Sequence, residues 1–408
     1  MPQKYSYSFL NIQMLLAIKL QTSASFRAVA KISMILSMYL DIPLQTPTHK
    51  TVLIWIQKIG YYLLTKKKEL ADDWILILDH SIQLGQEKLF VVFGIREHNI
   101  DFRRPLRYQD LVPLREISKP HWNGESIRDC VCDVRKELGQ IKYAVGDYGS
   151  DIRTGLRLAE IPHVHDITHK IALILEKLYI SDHVYQEVTG QMSRMRNQLC
   201  QTQAAHIIPP RQRKKSRYHN LKTLSDYGKR ALVYLDYHGD EADEGDSMKE
   251  HLNWIRPHRA FFKELAEICN LTCHIERLVK HQGLSLSTVT KCHAMLETVS
   301  TEKGCVFKEQ LQQYFQTTLS LVTTTKQILC TSDIIESAFG KYKNYVSCNP
   351  MAGITNLALC ISAFTCSLEK HEIQEALENT TIDEVKKWSN KHIGITLLKK
   401  RRNLFSHD

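Results

Sequence analysis

Two aspartates stand where a buried apolar run of this sequence stops. Asp79 directly follows the run from Trp74 to Leu78, and Asp147 follows the apolar start of the segment YAVGDYG. A charge next to such a run costs desolvation energy unless it lies at the exposed end of a strand. Two carboxylates at one sheet edge would repel each other unless cations neutralise them, and Mg²⁺ prefers oxygen ligands of this kind. The residue types therefore predict a divalent metal site.

The chain between these aspartates contains the elements that would bring them together. Short apolar runs separated by polar residues are typical of buried strands, and Gly85 lies in the break between the first two. The order strand, strand, strand, helix, strand allows the fourth strand to pair beside the first. The expected strands are 74–78, 89–95, 112–118, 143–149 and 163–168, with helices at 126–138 and about 150–160. The pattern predicts a mixed α/β fold.

A third acid that could join the two aspartates lies far downstream, in the segment SDIIESAFGKYKNY. If a helix begins near Asp333, Glu336 and Lys343 are seven residues apart and share one helix face. Asp333 and Glu336 also have the spacing of a helix-capping pair. The residues alone leave both roles of Glu336 open.

Two further aspartates near Asp147 have a structural alternative. Asp151 falls in the first turn of a predicted helix, where the unpaired amides and the helix dipole favour a carboxylate. Asp166 lies near a strand end among His163, His165 and His169, which could suggest a transition-metal site. Loosely spaced histidines in a chain with 19 of them are weak support for such a site.

The first seventy residues show three stretches of helical periodicity. The third is expected to begin with Thr46 as N-cap and Pro47 as the first helical residue, and to end near Ile59, before Gly60. Three short helices with a polar break are similar to a helix-turn-helix unit. The alternative is a small helical bundle without a ligand.

In a helix-turn-helix unit the last helix enters the major groove of DNA. Thr48, His49 and Lys50 would face the duplex, with Gln57 as a further candidate, and the lysines at 66–68 would meet phosphates. The overall charge agrees with a polyanionic partner, because Lys and Arg outnumber Asp and Glu by 54 to 44.

A basic run lies in the long stretch between Asp147 and Glu336. That stretch has helical periodicity and is far longer than a compact core needs, so we expect a mainly helical insertion. Its basic segment, PPRQRKKSRY, suits a loop that tracks phosphates, and a solvated linker is the alternative. The cations of the run are Arg211, Arg213, Lys214, Lys215 and Arg217.

Four blocks of the sequence together resemble one protein family. LDHS at Asp79, GDYGSDI at Asp147, HDITHK at Asp166 and SDIIESAFGKYK at Glu336 stand in the order found in the DDE-type transposases of bacterial insertion sequences. The resemblance implies an RNase H-like catalytic core and a metal-binding catalytic triad of Asp79, Asp147 and Glu336. It also implies that Lys343, seven residues after Glu336, contacts DNA.

The expected organisation follows from the resemblance and the periodicity together. Residues 1–70 would form a helix-turn-helix-like DNA-binding domain, 71–180 the first part of the catalytic domain, 181–325 the helical insertion, and 326–408 the last part with a basic tail. The implied cofactor is a pair of Mg²⁺ ions, with Mn²⁺ able to substitute. No phosphate-binding G-x-x-x-x-G-K-[ST] loop is present, so no nucleotide cofactor is expected.

The expected function is a transposase that cuts the terminal inverted repeats of its element and joins them to target DNA. Its partner would be double-stranded DNA, on which we expect a homodimer or a larger assembly. Eleven irregularly spaced cysteines suit a reducing cytosol, and no apolar segment is long enough to span a membrane, so we expect a bacterial, nucleoid-associated protein. The alternatives are a transposase-derived DNA-binding protein that no longer cuts, and a nuclease of the same fold that cuts without joining.

Overall fold

The structure is a computed structural model that describes residues 6–40, 45–84, 86–211, 221–237, 247–346 and 353–406; for residues 81–84 and 247 it describes the backbone only. The chain divides into two compact units. The first consists of Met1–Val164 and Thr331–Asp408, and the second of His165–Cys330. By this division the helices before residue 71 join the sheet instead of standing apart, and the inserted unit begins at His165, before the expected residue 181.

The first unit begins with three helices followed by three strands, after which helices and strands alternate along the chain. The strands are β1 (Ala71–Leu84), β2 (Glu87–Arg96), β3 (Val112–Lys119), β4 (Gly139–Gly146) and β5 (His163–His165). The helices before and between them are α1 (Phe9–Gln21), α2 (Phe26–Tyr39), α3 (His49–Thr65), α4 (Gly124–Leu138) and α5 (Ser150–Leu158).

The five strands form one mixed sheet in the order β3-β2-β1-β4-β5. β1 pairs antiparallel with β2 and parallel with β4, and β2 pairs antiparallel with β3. The prediction that the fourth strand lies beside the first is confirmed. The predicted mixed α/β class is also confirmed.

Helices cover the sheet because β1 is apolar on both faces. Trp74, Leu76 and Leu78 are buried in a core that includes Ile127 and Val131 of α4. The alternate residues of β1, such as Ile75 and Ile77, are equally buried on the opposite side. Such a continuous apolar run is expected of a strand that is covered on both faces.

Helix α3 is longer than the sequence pattern predicts. It begins at His49, and Thr48 is its N-cap, accepting the Thr51 N–H at 3.2 Å, so the expected start after Thr46 is two residues early. The helix also runs through Gly60 to Thr65. A Cβ on Gly60 would lie 2.0 Å from the Leu359 carbonyl oxygen, so this glycine permits close packing and does not end the helix.

The chain after residue 330 returns to the first unit. Its helices are α13 (Asp333–Tyr345), α14 (Cys360–Ala363), α15 (Lys370–Glu378), α16 (Ile382–His392) and α17 (Leu397–Phe405). α14 and α15 pack against α3, and α13 packs against β1. Helix α3 is therefore enclosed on several sides.

The described residues of the second unit contain helices and only one isolated β-bridge, between Leu284 and Ile328. Polar contacts join the helices, and Lys303 pairs with both Asp182 and Glu264 at 2.9 Å. The prediction of a mainly helical insertion is confirmed. The helices are α6 (Ile167–Tyr179), α7 (His183–Leu199), α8 (Leu221–Tyr237), α9 (Ser247–Leu252), α10 (Arg259–Gln282), α11 (Leu286–Leu296) and α12 (Glu302–Leu321).

Across both units, none of the helices in the described ranges combines the length and apolar content that crossing a membrane requires.

Candidate active site

Strand register places Asp79 and Asp147 at the same edge of the sheet. Ile77 of β1 pairs with Val145 of β4 in a parallel ladder. Asp79 lies two residues beyond Ile77 within β1, and Asp147 lies two residues beyond Val145, directly after the end of β4. β4 ends at Gly146, whereas β1 continues along β2 after a register shift that begins at Asp79. The structure thus brings together the first two acids singled out from the sequence.

Backbone amides hold both carboxylates. Asp79 is 4% exposed, and its Oδ1 accepts the N–H of His80 at 2.6 Å. Asp147 is half-buried, and its Oδ1 accepts the N–H of Gly149 at 2.9 Å. These hydrogen bonds fix the position of both carboxylates relative to the backbone that follows each strand.

Gly149 leaves space between two carboxylates. A Cβ at this position would lie 2.9 Å from Asp147 Oδ1 and 2.8 Å from Asp151 Oδ1. These distances are shorter than a carbon atom tolerates. The absent side chain therefore lets the Asp147 and Asp151 carboxylates face the same small space.

His80 and Asp151 form an ion pair beside the two predicted acids, with His80 Nε2 2.7 Å from Asp151 Oδ2. Burial acts to lower the pKa of His80, but the hydrogen bond and charge of Asp151, with the charges of Asp79 and Asp147, outweigh it. The pKa of His80 therefore lies above its ordinary value. For Asp151, burial acts to raise the pKa, yet the bond to His80 leaves it below the usual range.

Sequence reasoning missed His80 as a site residue and favoured a helix-start role for Asp151. Asp151 does lie in the first turn of α5, where its Oδ1 accepts the Ile152 N–H at 3.0 Å, as the helix-start explanation requires. That explanation does not account for the second carboxylate oxygen of Asp151, Oδ2, which pairs with His80. The available signal was the histidine that directly follows Asp79 in the LDHS block.

The pKa of His163 in β5 is shifted in the direction opposite to that of His80. Burial lowers the pKa of His163 to about 4, although the charge of Asp147 and a hydrogen bond with Gly146 oppose the shift. The His163 imidazole is therefore neutral near pH 7. It adds no positive charge to the carboxylate edge.

Asp166 has a structural role in the second unit. It is the N-cap of α6, and its Oδ1 accepts the N–H groups of Thr168 and His169 at 2.7 and 3.0 Å. Among the described residues, no three His, Cys, Asp or Glu side chains form a group that could hold a metal ion. A transition-metal site at Asp166 with its neighbouring histidines is not observed.

Helix α13 carries Glu336 and begins at Asp333, as the sequence predicts. Ser332 is the N-cap and Asp333 is already the first helical residue, so Asp333 and Glu336 do not occupy the positions of the capping pair that was the alternative. Glu336 and Lys343 are both exposed on one face of the helix.

Glu336 is not grouped with the two aspartates in this structure. Asp79, Asp147 and Glu336 are all described, and they do not form one of the metal-binding groups considered above. Helix α13, which carries Glu336, packs on β1, the strand that carries Asp79.

The residues predicted to contact DNA lie in different settings. Thr48 and Lys50 are exposed at the start of α3, His49 is half-buried, and Arg211 is exposed in the second unit. Arg213, Lys214, Lys215 and Arg217 lie outside the described residues. Their predicted role remains a prediction.

Two positions in the first unit do not fit the predicted DNA face. Gln57 is 8% exposed inside the packing around α3, so the prediction that it faces a duplex is wrong. Lys68 is also 8% exposed and donates to the Leu63 carbonyl, while Lys66 pairs with Glu372 at 3.1 Å. Of this lysine run, Lys67 is the most exposed.

Comparisons with known proteins give a likeness in structure and none in sequence. No protein-family model matches the sequence. No curated protein matches it either. Among solved structures, the chain is similar to one described as the Drosophila P element transposase strand transfer complex, with 12% sequence identity and a TM-score of 0.43, over 89% of this chain and 92% of that chain. Values this low describe a partial likeness of the backbone, and the carboxylate geometry is therefore the basis of the proposal below.

Proposed function

We propose that this chain is a DDE-type DNA transposase, which cuts the ends of its element by metal-dependent phosphoryl transfer and joins them to target DNA. The observation that supports this most is the parallel pairing of β1 with β4, which puts Asp79 and Asp147 at one sheet edge. In this proposal the mixed sheet is the centre of an RNase H-like domain. The element is a bacterial insertion sequence, and the protein acts at the nucleoid.

The donors at this edge fit Mg²⁺ in their chemistry. Carboxylate oxygens are the ligands that Mg²⁺ prefers, and Gly149 leaves space beside Asp147 and Asp151. When bound, two Mg²⁺ ions, or Mn²⁺ in their place, supply an activated attacking oxygen and stabilise the charge of the leaving oxygen. Asp79 and Asp147 would hold them, and Glu336 on α13 would complete the ligand set in the DNA-bound state.

The remaining side chains of the site would offset the negative charge of the carboxylates and of the DNA. The ion pair with Asp151 supports the protonated form of His80, whose positive charge offsets part of the repulsion between Asp79 and Asp147. Lys343 would contact a DNA phosphate from the face of α13 that it shares with Glu336. Each proposed role belongs to a group of the chain itself and can be tested by substitution.

Duplex DNA contacts would come from both units. In the first unit, Thr48, His49 and Lys50 are the proposed contacts at the start of α3. In the second, Arg211 begins the basic run, with Arg213, Lys214, Lys215 and Arg217 as its further proposed members. Joining two element ends requires at least a homodimer on DNA, which native mass spectrometry of the complex would detect.

The test is strand cleavage of duplex DNA taken from the regions that flank the gene. The purified full chain is incubated with this DNA and Mg²⁺ or Mn²⁺, with EDTA as the metal-free arm. Asp79→Asn, Asp147→Asn and Glu336→Gln should each abolish cleavage and leave duplex binding nearly intact. Asp129→Asn is the matched control, because Asp129 is an exposed acid on α4 of the same unit.

The outcomes separate the proposed function from its alternatives. Nicks at an inverted-repeat boundary, followed by joining to a second duplex, support a transposase. Cutting without joining supports a nuclease of the same fold. Specific binding without metal-dependent cleavage supports a transposase-derived DNA-binding protein, and it would overturn the enzymatic proposal.

A further inference from the structure

A basic groove lies along β3, the edge strand of the sheet at the end away from β5. Its volume is about 800 Å³. Four segments of the first unit form it: the end of α3 with the residues after it, the middle of β3, the second half of α4, and the end of α16. Its apolar residues include Leu114 and Trp388. We call this feature the β3 groove.

Cations outnumber carboxyl groups among the residues that line the β3 groove. The carboxyl groups are those of Glu116, Asp133 and Glu137. The cationic side chains are Lys66, Lys67, Lys68, Arg115, Lys136 and Lys391. Three of these six have acidic partners: Lys66 pairs with Glu372, Arg115 with Glu137, and Lys136 with Asp133. Within the described part of the chain, Lys67 and Lys391 form no ion pair, and both are exposed.

Among the described residues, Lys68 is the third lysine of the groove that forms no ion pair. Its side chain is 8% exposed. Burial is the main cause that lowers the pKa of Lys68 to about 7. The positive charge of Lys66 lowers it further, Glu137 opposes this shift, and Arg115 has the smallest lowering effect. A bound anion would relieve this repulsion.

The groove is too large and its charges are too dispersed for a small inorganic anion. A single phosphate needs much less than 800 Å³, and the cations come from α3, β3, α4 and α16, so they do not converge on one point. A chain of singly charged groups fits this dispersed distribution better. The apolar floor suits the sugar and base parts that lie between such groups.

We propose that the β3 groove binds the phosphodiester backbone of a DNA strand, with Lys67 and Lys391 as its main phosphate contacts. This contact surface is separate from the carboxylate edge and from the start of α3. The choice of DNA among polyanions rests on the proposed function. The groove itself is argued from the placement of its own side chains.

The first test is equilibrium binding without metal. Fluorescence anisotropy of a labelled 30-base-pair duplex is measured in EDTA between about 50 and 200 mM salt, with the full chain carrying Asp79→Asn. Adding Lys67→Gln and Lys391→Gln together should weaken binding. It should also reduce the slope of log K against log salt by about 0.9 for each lost phosphate contact, so by up to about 2. Lys386→Gln is the matched control, because Lys386 is exposed on α16 outside the groove and should change neither quantity.

A second measurement guards against misfolding of the double variant. In the parent chain, bound duplex should protect Lys67 and Lys391 from acetylation by an amine reagent and leave Lys386 reactive. Protection of both lysines together with the reduced slope supports the proposal. An unchanged slope and affinity in a folded double variant, or equal reactivity of all three lysines with and without DNA, overturns it.

The same experiments keep this inference distinct from the proposed function. If DNA binding depends on Lys67 and Lys391 but the chain never cuts DNA, the proposed role of the groove stands and the proposed enzymatic function fails. If cleavage is lost with Asp79→Asn but is unaffected by the lysine substitutions, the proposed enzymatic function stands and the proposed role of the groove fails. If the binding of polyglutamate depends on these lysines and the binding of DNA does not, the proposed ligand is also overturned.

Discussion

The ammonium group of Lys19 lies 3.2 Å from the centre of the Tyr345 ring. Lys19 is fully buried on α1, and its Nζ donates to the Ala24 carbonyl at 2.7 Å. The Tyr345 hydroxyl in turn donates to the Lys19 carbonyl at 3.0 Å. Because Tyr345 is the last residue of α13, these contacts fasten the first helix of the chain to the helix that carries Glu336.

Substitutions at this contact should distinguish the contribution of the Tyr345 ring to stability from that of its hydroxyl group. Tyr345→Phe keeps the ring and loses one hydrogen bond, so it should lower the free energy of unfolding by about 1 kcal/mol. Lys19→Ala loses the buried side chain and its interaction with the ring, and should cost about 3 kcal/mol. Urea denaturation measures both. A larger loss for Tyr345→Phe than for Lys19→Ala would contradict this ranking.

Glu116 should make the stability of the protein depend on pH. It is 1% exposed, and its Oε1 accepts the Ser362 N–H at 2.7 Å. Burial raises the pKa of Glu116 to about 8, despite hydrogen bonds from Ser362 that act to lower it. Between about pH 4.5 and 8 the folded state then binds a proton that the unfolded state has lost, so the contribution of Glu116 to stability falls as pH rises.

The Glu116 effect can be isolated with an isosteric variant. Between pH 5.5 and 7.5 the free energy of unfolding of the parent chain should fall by up to about 2 kcal/mol more than that of Glu116→Gln. Guanidinium denaturation at the two pH values gives the difference. Parallel pH profiles for the two proteins would show that the Glu116 carboxyl does not titrate abnormally.

Two helical glycines should respond to alanine with opposite signs. At Gly60 of α3 a Cβ would lie 2.0 Å from the Leu359 carbonyl oxygen, so overpacking of about 1–3 kcal/mol should exceed the helix-propensity gain of about 1 kcal/mol. At Gly340 of α13 nothing lies within 4 Å, so Gly340→Ala should stabilise by about 0.5–1 kcal/mol. Melting temperatures of the two variants test the signs, and stabilisation by Gly60→Ala would contradict the close packing.

Gly149 should matter for cleavage more than for folding. A Cβ there would force the Asp147 or Asp151 carboxylate to move, and a displacement of about 1 Å in a catalytic group can cost on the order of 100-fold in rate. If the proposed function is right, Gly149→Ala should reduce metal-dependent cleavage by at least about tenfold. Gly190→Ala on α7 is the control, because nothing lies within 4 Å of its Cβ position.

The sequence by itself determined the strands that carry the acids and the start of α13. Apolar runs around 74–78 and 143–146 are long enough for strands and too short for typical helices, and both end in an aspartate. The strand order allowed β4 to pair with β1, and the structure has this pairing. These features are either local or follow from the order of local elements along the chain. A sequence pattern can therefore predict them.

Only the tertiary structure decided the surroundings of those acids. Gly60 looked like a helix end because the partner that requires a glycine there, Leu359, is remote in sequence. Gln57 looked like a surface residue because elements remote in sequence, among them α14 and α15, pack against the helix that carries it. The ion pair of His80 with Asp151 likewise joins two residues that are far apart in sequence and that only the fold brings together. Close packing and ion pairing depend on distances in space, and no periodicity in the sequence records them.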